Sequence, residues 1–256
     1  MPAEDPTVTF ERFTDIDGTS PTLIEGLPGH GLVASIAVDQ ITRQLELEHH
    51  GNIVSEEFPP VVSFQDGRVR DLVRVYAGED PAVMTLQSDL ALPPQSFSAL
   101  STCVLEDLAD EFERAIFLAG SPAQDQSEIG TVAGVATTDD FEADLEAAGI
   151  QLAEGTGLIG GVTGALVNEC FHADLPTAVL VVKSNPYLPD PSAAQSVIEN
   201  ALEPLVDFDV DTTELQEQAD EIQAQMQQIA QQYQEMAQQQ QQQPDQPQRP
   251  LPSMYQ

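Results

Sequence analysis

The chain has 256 residues, and 43 aspartates and glutamates stand against 8 lysines and arginines, which gives a formal net charge of −35. Such a surface repels the phosphates of nucleic acids and of anionic membranes, because few basic groups can replace their counterions. The composition therefore excludes a nucleic-acid-binding protein and a protein of membrane surfaces. Apolar residues make up 41% of the chain, which is enough for one well-filled core.

The acidic charge indicates a solvated shell around an ordinary core, because the chain has clear apolar runs that a disordered acidic protein lacks. Lys183 is the only lysine. A nearly lysine-free acidic surface suits a salt-rich cytosol, where the Debye length falls to about 3 Å at 1 M salt. We therefore expect a halophilic source and a fold or assembly that is lost in low salt. Full native circular dichroism and oligomer size in salt-free buffer would count against this expectation.

The two cysteines, Cys103 and Cys170, lie inside apolar patterns, which predicts two reduced, buried thiols and no disulfide. The first ten residues contain neither the basic region nor the apolar stretch of a signal peptide. No window of the sequence approaches the length of a membrane span. We therefore expect a cytoplasmic protein with no membrane segment.

The first predicted elements form the opening unit of an α/β domain. Residues 10–20 look irregular, and the run Thr22 to Glu25 predicts a buried strand that breaks into the glycine loop Gly26 to Gly31. Apolar residues from Leu32 to Leu47 keep helical spacing and predict a helix. A strand, a glycine turn and a helix in this order are typical of α/β proteins.

The next segment contains two adjacent histidines and several short apolar runs. His49 and His50, with Glu46 nearby, are placed at an exposed helix end, and a metal site there is the weaker alternative. The runs between Ile53 and Tyr76 surround Asp66-Gly67, a pair that is a strong hairpin signal. This segment therefore predicts an antiparallel β-ribbon.

The second half of the body alternates between helical and strand patterns. The predicted helices span residues 95–112, 139–148, roughly 161–170 and 192–206, and the predicted strands span 115–119, 132–136, 150–152 and 177–182. Strands that alternate with crossover helices predict an α/β three-layer sandwich with a mostly parallel central sheet, here over residues 1–211.

The period of the apolar pattern changes after residue 211. Leu215, Ala219, Ile222, Met226, Ile229, Tyr233 and Met236 follow one another at spacings of four and three residues. This heptad seam predicts a coiled-coil helix over residues 212–237. The alternative is a helix that packs back along its own body. The glutamine- and proline-rich residues 238–256 predict a disordered tether.

Two glycine motifs are candidate sites of chemistry. Gly155, Gly157 and Gly160 match the letters of a dinucleotide fingerprint, but no acidic residue for a ribose follows the next strand. We interpret the motif as a turn where a strand and a helix pack closely. The amides of the earlier loop, with Gly26, Gly29 and Gly31, are able to hold an anion at a helix start. We expect no catalytic residue, no cofactor and no metal site.

Two sequences carry a resemblance to a known family. They are Gly26-Leu27-Pro28-Gly29-His30-Gly31, between a strand and a helix, and the later Gly157-Leu158-Ile159-Gly160-Gly161-Val162-Thr163-Gly164-Ala165-Leu166. Over residues 8–207 the chain resembles the archaeal form of the proteasome assembly chaperone 2 family. The resemblance implies a non-enzymatic protein that forms homo-oligomers, with a fold like that of nucleoside phosphorylases without the active site.

The resemblance also implies a role for the C-terminus. Chaperones and activators of the proteasome commonly end in a hydrophobic residue, a tyrosine and any residue, which insert between neighbouring α subunits of the core particle. Met254, Tyr255 and Gln256 fit this pattern, and the Gln256 carboxylate is expected to meet a lysine of the pocket. The expected function is an ATP-independent assembly chaperone or activator-like adaptor.

Two alternatives to this function stay open at the level of sequence. The first is a nucleoside-phosphorylase-like or nucleotide-binding enzyme that uses the glycine loops. The second is a scaffold whose coiled coil recruits a different partner.

Overall fold

The computed structural model describes residues 8–16 and 20–241. A large sheet lies between two layers of helices, and each face of the sheet has its own hydrophobic core. The strands are β1 (Val8–Arg12), β2 (Thr22–Gly26), β3 (Glu48–Ser55), β4 (Ser63–Gln65), β5 (Arg68–Arg70), β6 (Val73–Glu79), β7 (Ala82–Ser88), β8 (Arg114–Pro122), β9 (Val132–Ala136), β10 (Gln151–Leu152) and β11 (Thr177–Ser184).

Six helices of the body cover the faces of this sheet. They are α1 (Val33–Gln44), α2 (Phe97–Cys103), α3 (Asp139–Ala147), α4 (Gly161–His172), α5 (Pro191–Val197) and α6 (Glu203–Val206). A seventh helix, α7 (Thr213–Gln241), begins in the body and continues as a separate unit from Glu217. Helix α2 continues as a π turn and a 3₁₀ turn to Glu111, and a π turn joins α5 to α6. Helices α1, α3 and α5 contribute to one core, and α2 and α4 contribute to the other. The predicted three-layer arrangement is therefore present.

The main sheet has the strand order β1-β3-β6-β7-β2-β8-β11-β9-β10. The four central strands β7, β2, β8 and β11 run parallel to one another. On one side, β1, β3, β6 and β7 form an antiparallel meander, and on the other side β9 is antiparallel to β11. The sheet is therefore mixed, and the predicted parallel order applies to its centre.

Most of the predicted elements are present, and the differences have local causes. Pro204 lies in the first turn of α6, directly after the π turn, where a missing N–H costs nothing. The segment of residues 10–20 was expected to be irregular, but its first three residues belong to β1, which pairs with β3. The exposed side of this edge strand tolerates charged residues, and its pattern therefore gave no strand signal.

The two adjacent histidines were placed wrongly. Helix α1 ends at Gln44, and Glu46 takes a left-handed conformation with φ of 50°, so His49 and His50 lie in β3. The His50 ring is fully buried, 2.8 Å from Thr14 Oγ1 and 2.7 Å from Glu111 Oε2. It fastens β3 to the end of the α2 segment.

None of the helices in residues 8–16 and 20–241 combines the length and the apolar content needed to cross a bilayer.

Candidate functional site

The predicted docking tripeptide, Met254 to Gln256, lies outside the described residues. The structure does describe the first turn of α7, the helix that precedes the tripeptide in the sequence. Asp211 Oδ1 accepts a 2.9 Å hydrogen bond from the N–H of Thr213, at the start of α7. The hydroxyl and N–H of Thr213 lower the pKa of Asp211. This carboxylate satisfies an amide that a helix N-terminus leaves free.

The first turn of α7 is fastened to α1 and to the core. Gln40 Nε2 donates to the carbonyl of Asp211 at 2.5 Å, and Arg43 pairs with Glu214 at 3.2 Å. The Leu215 side chain is only 2% exposed and belongs to the core on the α1 face. The compact body therefore extends through the first residue of the heptad seam and ends at Gln216.

The seam becomes exposed further along α7. Met226 and Ile229 are 49% and 48% exposed. Two large apolar side chains at heptad spacing on one helix form an apolar stripe, and such stripes usually pack against another helix.

Both glycine motifs lie at the carboxyl edge of the parallel strands, which is where ligand sites form in open α/β sheets. Helix α1 follows β2 directly, and α4 runs back from this edge before β11 begins. Neither helix has a side-chain cap at its N-terminus. Helices α1 and α4 therefore direct the N–H groups of their first turns towards one edge of the sheet.

The first glycine loop is fitted closely to the strands around it. A Cβ at Gly26 would lie 2.5 Å from Val38 Cβ, and a Cβ at Gly31 would lie 2.6 Å from Ser184 Oγ. Gly31 also has φ of +64°, which favours glycine. At Gly29 the space is open and φ is −136°. Two of the three predicted glycines are thus required for close packing.

The second loop does not show the close packing that we expected at its fingerprint glycines. No atom lies within 4 Å of where a Cβ would stand at Gly155, Gly157, Gly160 or Gly161. Gly155 and Gly161 instead supply positive φ values of 78° and 71°. The close approach occurs one step later, where the Ile159 carbonyl lies against Gly164.

A carboxyl group that the sequence analysis missed joins the two loops. Glu25 lies near the end of β2 and is 0% exposed. Its Oε1 accepts a 2.8 Å hydrogen bond from the N–H of Leu27, and Thr163 Oγ1 of α4 lies 3.5 Å from its Oε2. Burial raises the pKa of Glu25 from 4.5 to about 8. A glutamate inside an apolar strand run was the signal that could have revealed it.

This carboxyl group has a structural role. A pKa of about 8 keeps the carboxyl group protonated at neutral pH. Because Glu25 is fully buried, neither solvent nor a dissolved ligand reaches it. In the described residues, the first glycine loop, α1 and the end of β11 each contribute one buried atom without a hydrogen-bond partner, namely His30 Nε2, Ser35 Oγ and Ser184 Oγ. Polar atoms of this kind are usually satisfied by water.

The cysteines match their prediction. Cys103 and Cys170 are free and buried. Burial, with Asp107 beside it, raises the pKa of Cys103 to about 12, and burial raises the pKa of Cys170 to about 11. Both sulfurs stay protonated at neutral pH and are poor nucleophiles. Within the described residues, no group of three histidine, cysteine, aspartate or glutamate side chains is arranged to hold a metal ion.

A cavity of about 450 Å³ opens at the opposite edge of the sheet, beside Arg114, Asp144 and Leu205. Arg114 is already engaged there. Its guanidinium donates to Thr22 Oγ1 at 3.1 Å, to Asp144 Oδ2 at 3.0 Å and to the Leu205 carbonyl at 2.7 Å. The group serves to bind β8 to its neighbours.

Comparisons with known proteins agree with this architecture. The crystal structure of Pyrococcus furiosus PbaA, an archaeal homolog of proteasome-assembly chaperone, matches with a TM-score of 0.78 and 25% identity, over 92% of this chain and 97% of PbaA. The structure of Pyrococcus furiosus PbaB, an archaeal proteasome activator, matches with a TM-score of 0.77 and 20% identity, over 87% of this chain and 98% of PbaB. The latter likeness shows the fold alone.

Sequence comparison gives the same relationship. An uncharacterized protein of Methanocaldococcus jannaschii is 25% identical over 211 residues, which cover 82% of this chain and 86% of the relative. A profile of the PAC2 family matches residues 23–230, a range that includes both glycine loops, Glu25 and most of α7. The chain therefore belongs to the PAC2 family.

Proposed function

We propose that this chain is an ATP-independent proteasome-binding protein of the cytoplasm, either an assembly chaperone or an activator-like adaptor. The observation that carries the proposal is the likeness to PbaA, which extends over 92% of the chain. Family membership over residues 23–230 supports the same role.

The working part is the terminal Met254-Tyr255-Gln256, which docks between neighbouring α subunits of the core particle. A tyrosine offers a large apolar ring with a polar end, so it can fill a pocket and keep one hydrogen bond. The carboxylate of Gln256 supplies a negative charge for a lysine of that pocket. Leu215 and Glu214 hold the first turn of α7 against the body. The tail therefore has a defined starting point on the body.

Several tails bind better than one. A long flexible tether lowers the effective concentration of each docking motif, and an oligomer restores it by presenting several motifs to one ring. Met226 and Ile229 are the apolar residues of the seam through which α7 pairs between copies of a homo-oligomer. The helix has 29 residues and a length of roughly 43 Å, and the seam beyond the buried Leu215 leaves about two and a half heptads for pairing.

Tail docking predicts a sharp difference between two kinds of change. Deleting Met254 to Gln256, or changing Tyr255→Ala, is expected to abolish binding to the purified core particle, because the apolar anchor is lost. Shortening the glutamine run is expected to change the affinity only a few-fold, since linker length affects effective concentration weakly. Binding is measured by pull-down and by light scattering in high salt.

Ser253→Ala is the matched control for this experiment, because it changes the tail beside the motif and keeps the last three residues. It is expected to bind like the wild type. Undiminished binding by the deletion variant would exclude tail docking, whereas loss of binding by Ser253→Ala as well would show that the whole tail matters.

One observation favours a rival, a phosphorylase-like enzyme. The uncapped N-termini of α1 and α4 meet at the carboxyl edge, a geometry suited to phosphate. Thermal-shift measurements with phosphate and with nucleosides test it, because a ligand that binds the folded state raises the melting temperature. We expect no shift, and a concentration-dependent rise would favour the rival.

A chain truncated after Asp211 that still binds every cellular partner would remove the scaffold hypothesis.

A further inference from the structure

The second glycine loop, residues 153–160, is held to the body by few contacts. Its residues are all exposed except Ile159, which packs against the core on the α2 and α4 face. Within the described part of the chain, the side chains of this loop and of the first turn of α4 make one hydrogen bond, in which Thr163 Oγ1 lies 3.5 Å from Glu25 Oε2. We call Glu25 and Thr163 the α4 latch. Exposed segments with few hydrogen bonds open at a low cost in free energy.

Glu25 carries its carboxyl group inside the core without a charged partner. The side chain is 0% exposed, and the backbone of Leu27 and Leu118 and the hydroxyl of Thr163 hydrogen-bond it. Burial raises the pKa of Glu25, and no charged side chain of the described residues acts to lower it. A carboxylate in such a place has lost its hydration and gained no counter-charge, which is strongly unfavourable. The closed form of the loop therefore requires the neutral carboxyl group.

The elements packed around Glu25 place their other titratable side chains elsewhere. Strand β7 has none, Arg114 lies at the opposite end of β8, and His30 lies in the first glycine loop. Cys103 of α2 and Cys170 of α4 face the same core, and the remaining ones of α2, its π turn and α4 are exposed. The two thiols have a pKa of about 12 and about 11, so both stay protonated at pH 9.

We propose that the α4 latch is pH-sensitive: when Glu25 loses its proton in alkaline solution, the second glycine loop and the first turn of α4 detach from the end of β2 and admit water to the carboxylate. Strand β2 is fixed between β7 and β8 and cannot move away. The loop can move, because no atom lies within 4 Å of the Cβ positions of Gly155, Gly157 and Gly160. The later turns of α4 stay packed through the buried Leu166. One part of the body thus opens with pH while the core stays folded.

A single tryptophan reports on this opening, because the chain has none of its own. Ile159→Trp places it at the partly buried position of the loop, and its quenching by acrylamide is measured at pH 7 and pH 9 in constant salt. With a pKa of about 8, Glu25 is roughly tenfold more ionised at pH 9 than at pH 7. The fraction of accessible tryptophan is expected to rise by the same factor. When Glu25→Gln is added to this chain, the quenching is expected to stay at its pH 7 level.

Leu158→Trp is the matched control for the reporter, because Leu158 is already fully exposed and its quenching should not change with pH. Glu169→Gln, at an exposed position of α4, controls for the loss of one negative charge and should respond like the wild type. Digestion of the chain without tryptophan by subtilisin gives a second measurement. The ratio of cleavage rates of wild type and Glu25→Gln between residues 159 and 166 should rise roughly tenfold from pH 7 to pH 9.

Equal quenching of the Ile159→Trp chain at both pH values, or an equal rise after addition of Glu25→Gln, would overturn the proposal. Loss of the far-ultraviolet circular dichroism at pH 9 would also overturn it, since the whole protein would then unfold instead of one loop. If Ile159→Trp is not folded at pH 7, the subtilisin measurement decides, and a cleavage ratio that does not change with pH would contradict the latch. No proteasome is present, so the result is independent of tail docking.

Discussion

Replacing Glu25 with glutamine is expected to stabilise the protein at pH 9 by on the order of 4 kcal/mol and to leave its stability at pH 5 nearly unchanged. Burial raises the pKa of this carboxyl group from 4.5 to about 8. The folded state therefore holds a proton that the unfolded state releases as the pH rises above 4.5. This difference lowers the free energy of unfolding between pH 4.5 and about 8, and the loss is complete above pH 8.

Glutamine is neutral over this whole range and keeps the acceptor for the Leu27 N–H. The difference in free energy of unfolding between Glu25→Gln and wild type should therefore grow from pH 5 to pH 9, as measured by denaturant unfolding in constant salt. Glu146→Gln, at an exposed position of α3, is the control for removing one negative charge. Parallel pH profiles for Glu25→Gln and wild type would show that Glu25 is ionised or hydrated in the folded protein.

Adding one methyl group at Gly120 is expected to destabilise the protein by about 3 kcal/mol, at the upper end of the usual cost of overpacking. Gly120 lies in β8 beside the first glycine loop, and a Cβ there would overlap the backbone carbonyl of His30. A backbone obstacle cannot rotate away as a side chain does. Gly120→Ala must therefore displace the loop that begins α1, and the melting temperature should fall by roughly 6–12 °C.

Gly157→Ala is the matched control, because no atom lies within 4 Å of the position its Cβ would take. It is expected to change stability by less than about 0.5 kcal/mol. Calorimetric melting of both variants in one buffer checks the pair. Equal melting temperatures for Gly120→Ala and wild type would mean that the loop does not lie against β8 in solution.

Most of the fold could be predicted from the apolar patterns of the sequence. The run at residues 177–182 predicted the central strand β11, and the helical spacing after Leu32 predicted α1, because buried elements of a sandwich must present apolar faces. Strand order and direction at the edges depend on pairing between distant segments. No local pattern could show that residues 8–12 pair with β3, or that His50 is buried against Glu111.

The site was predictable only in part, for a similar reason. Both glycine loops were found by their sequence, but their meeting at Glu25 depends on the crossover that brings α4 back to the end of β2. The turn signal at Asp66-Gly67 correctly predicted the hairpin of β4 and β5, but no local pattern could show that Arg70 of this hairpin pairs with Asp89. The docking tripeptide lies outside the described residues and stays a prediction.

Purification of the tagged full-length chain from its native host in high salt tests the central claim most directly. Mass spectrometry of the co-purifying proteins should find α subunits of the proteasome core particle, in amounts comparable to the chain itself. The same purification with a chain that lacks Met254 to Gln256 should not recover them. Absence of proteasome subunits from the full-length sample, at the level of an untagged control, would contradict the proposed function.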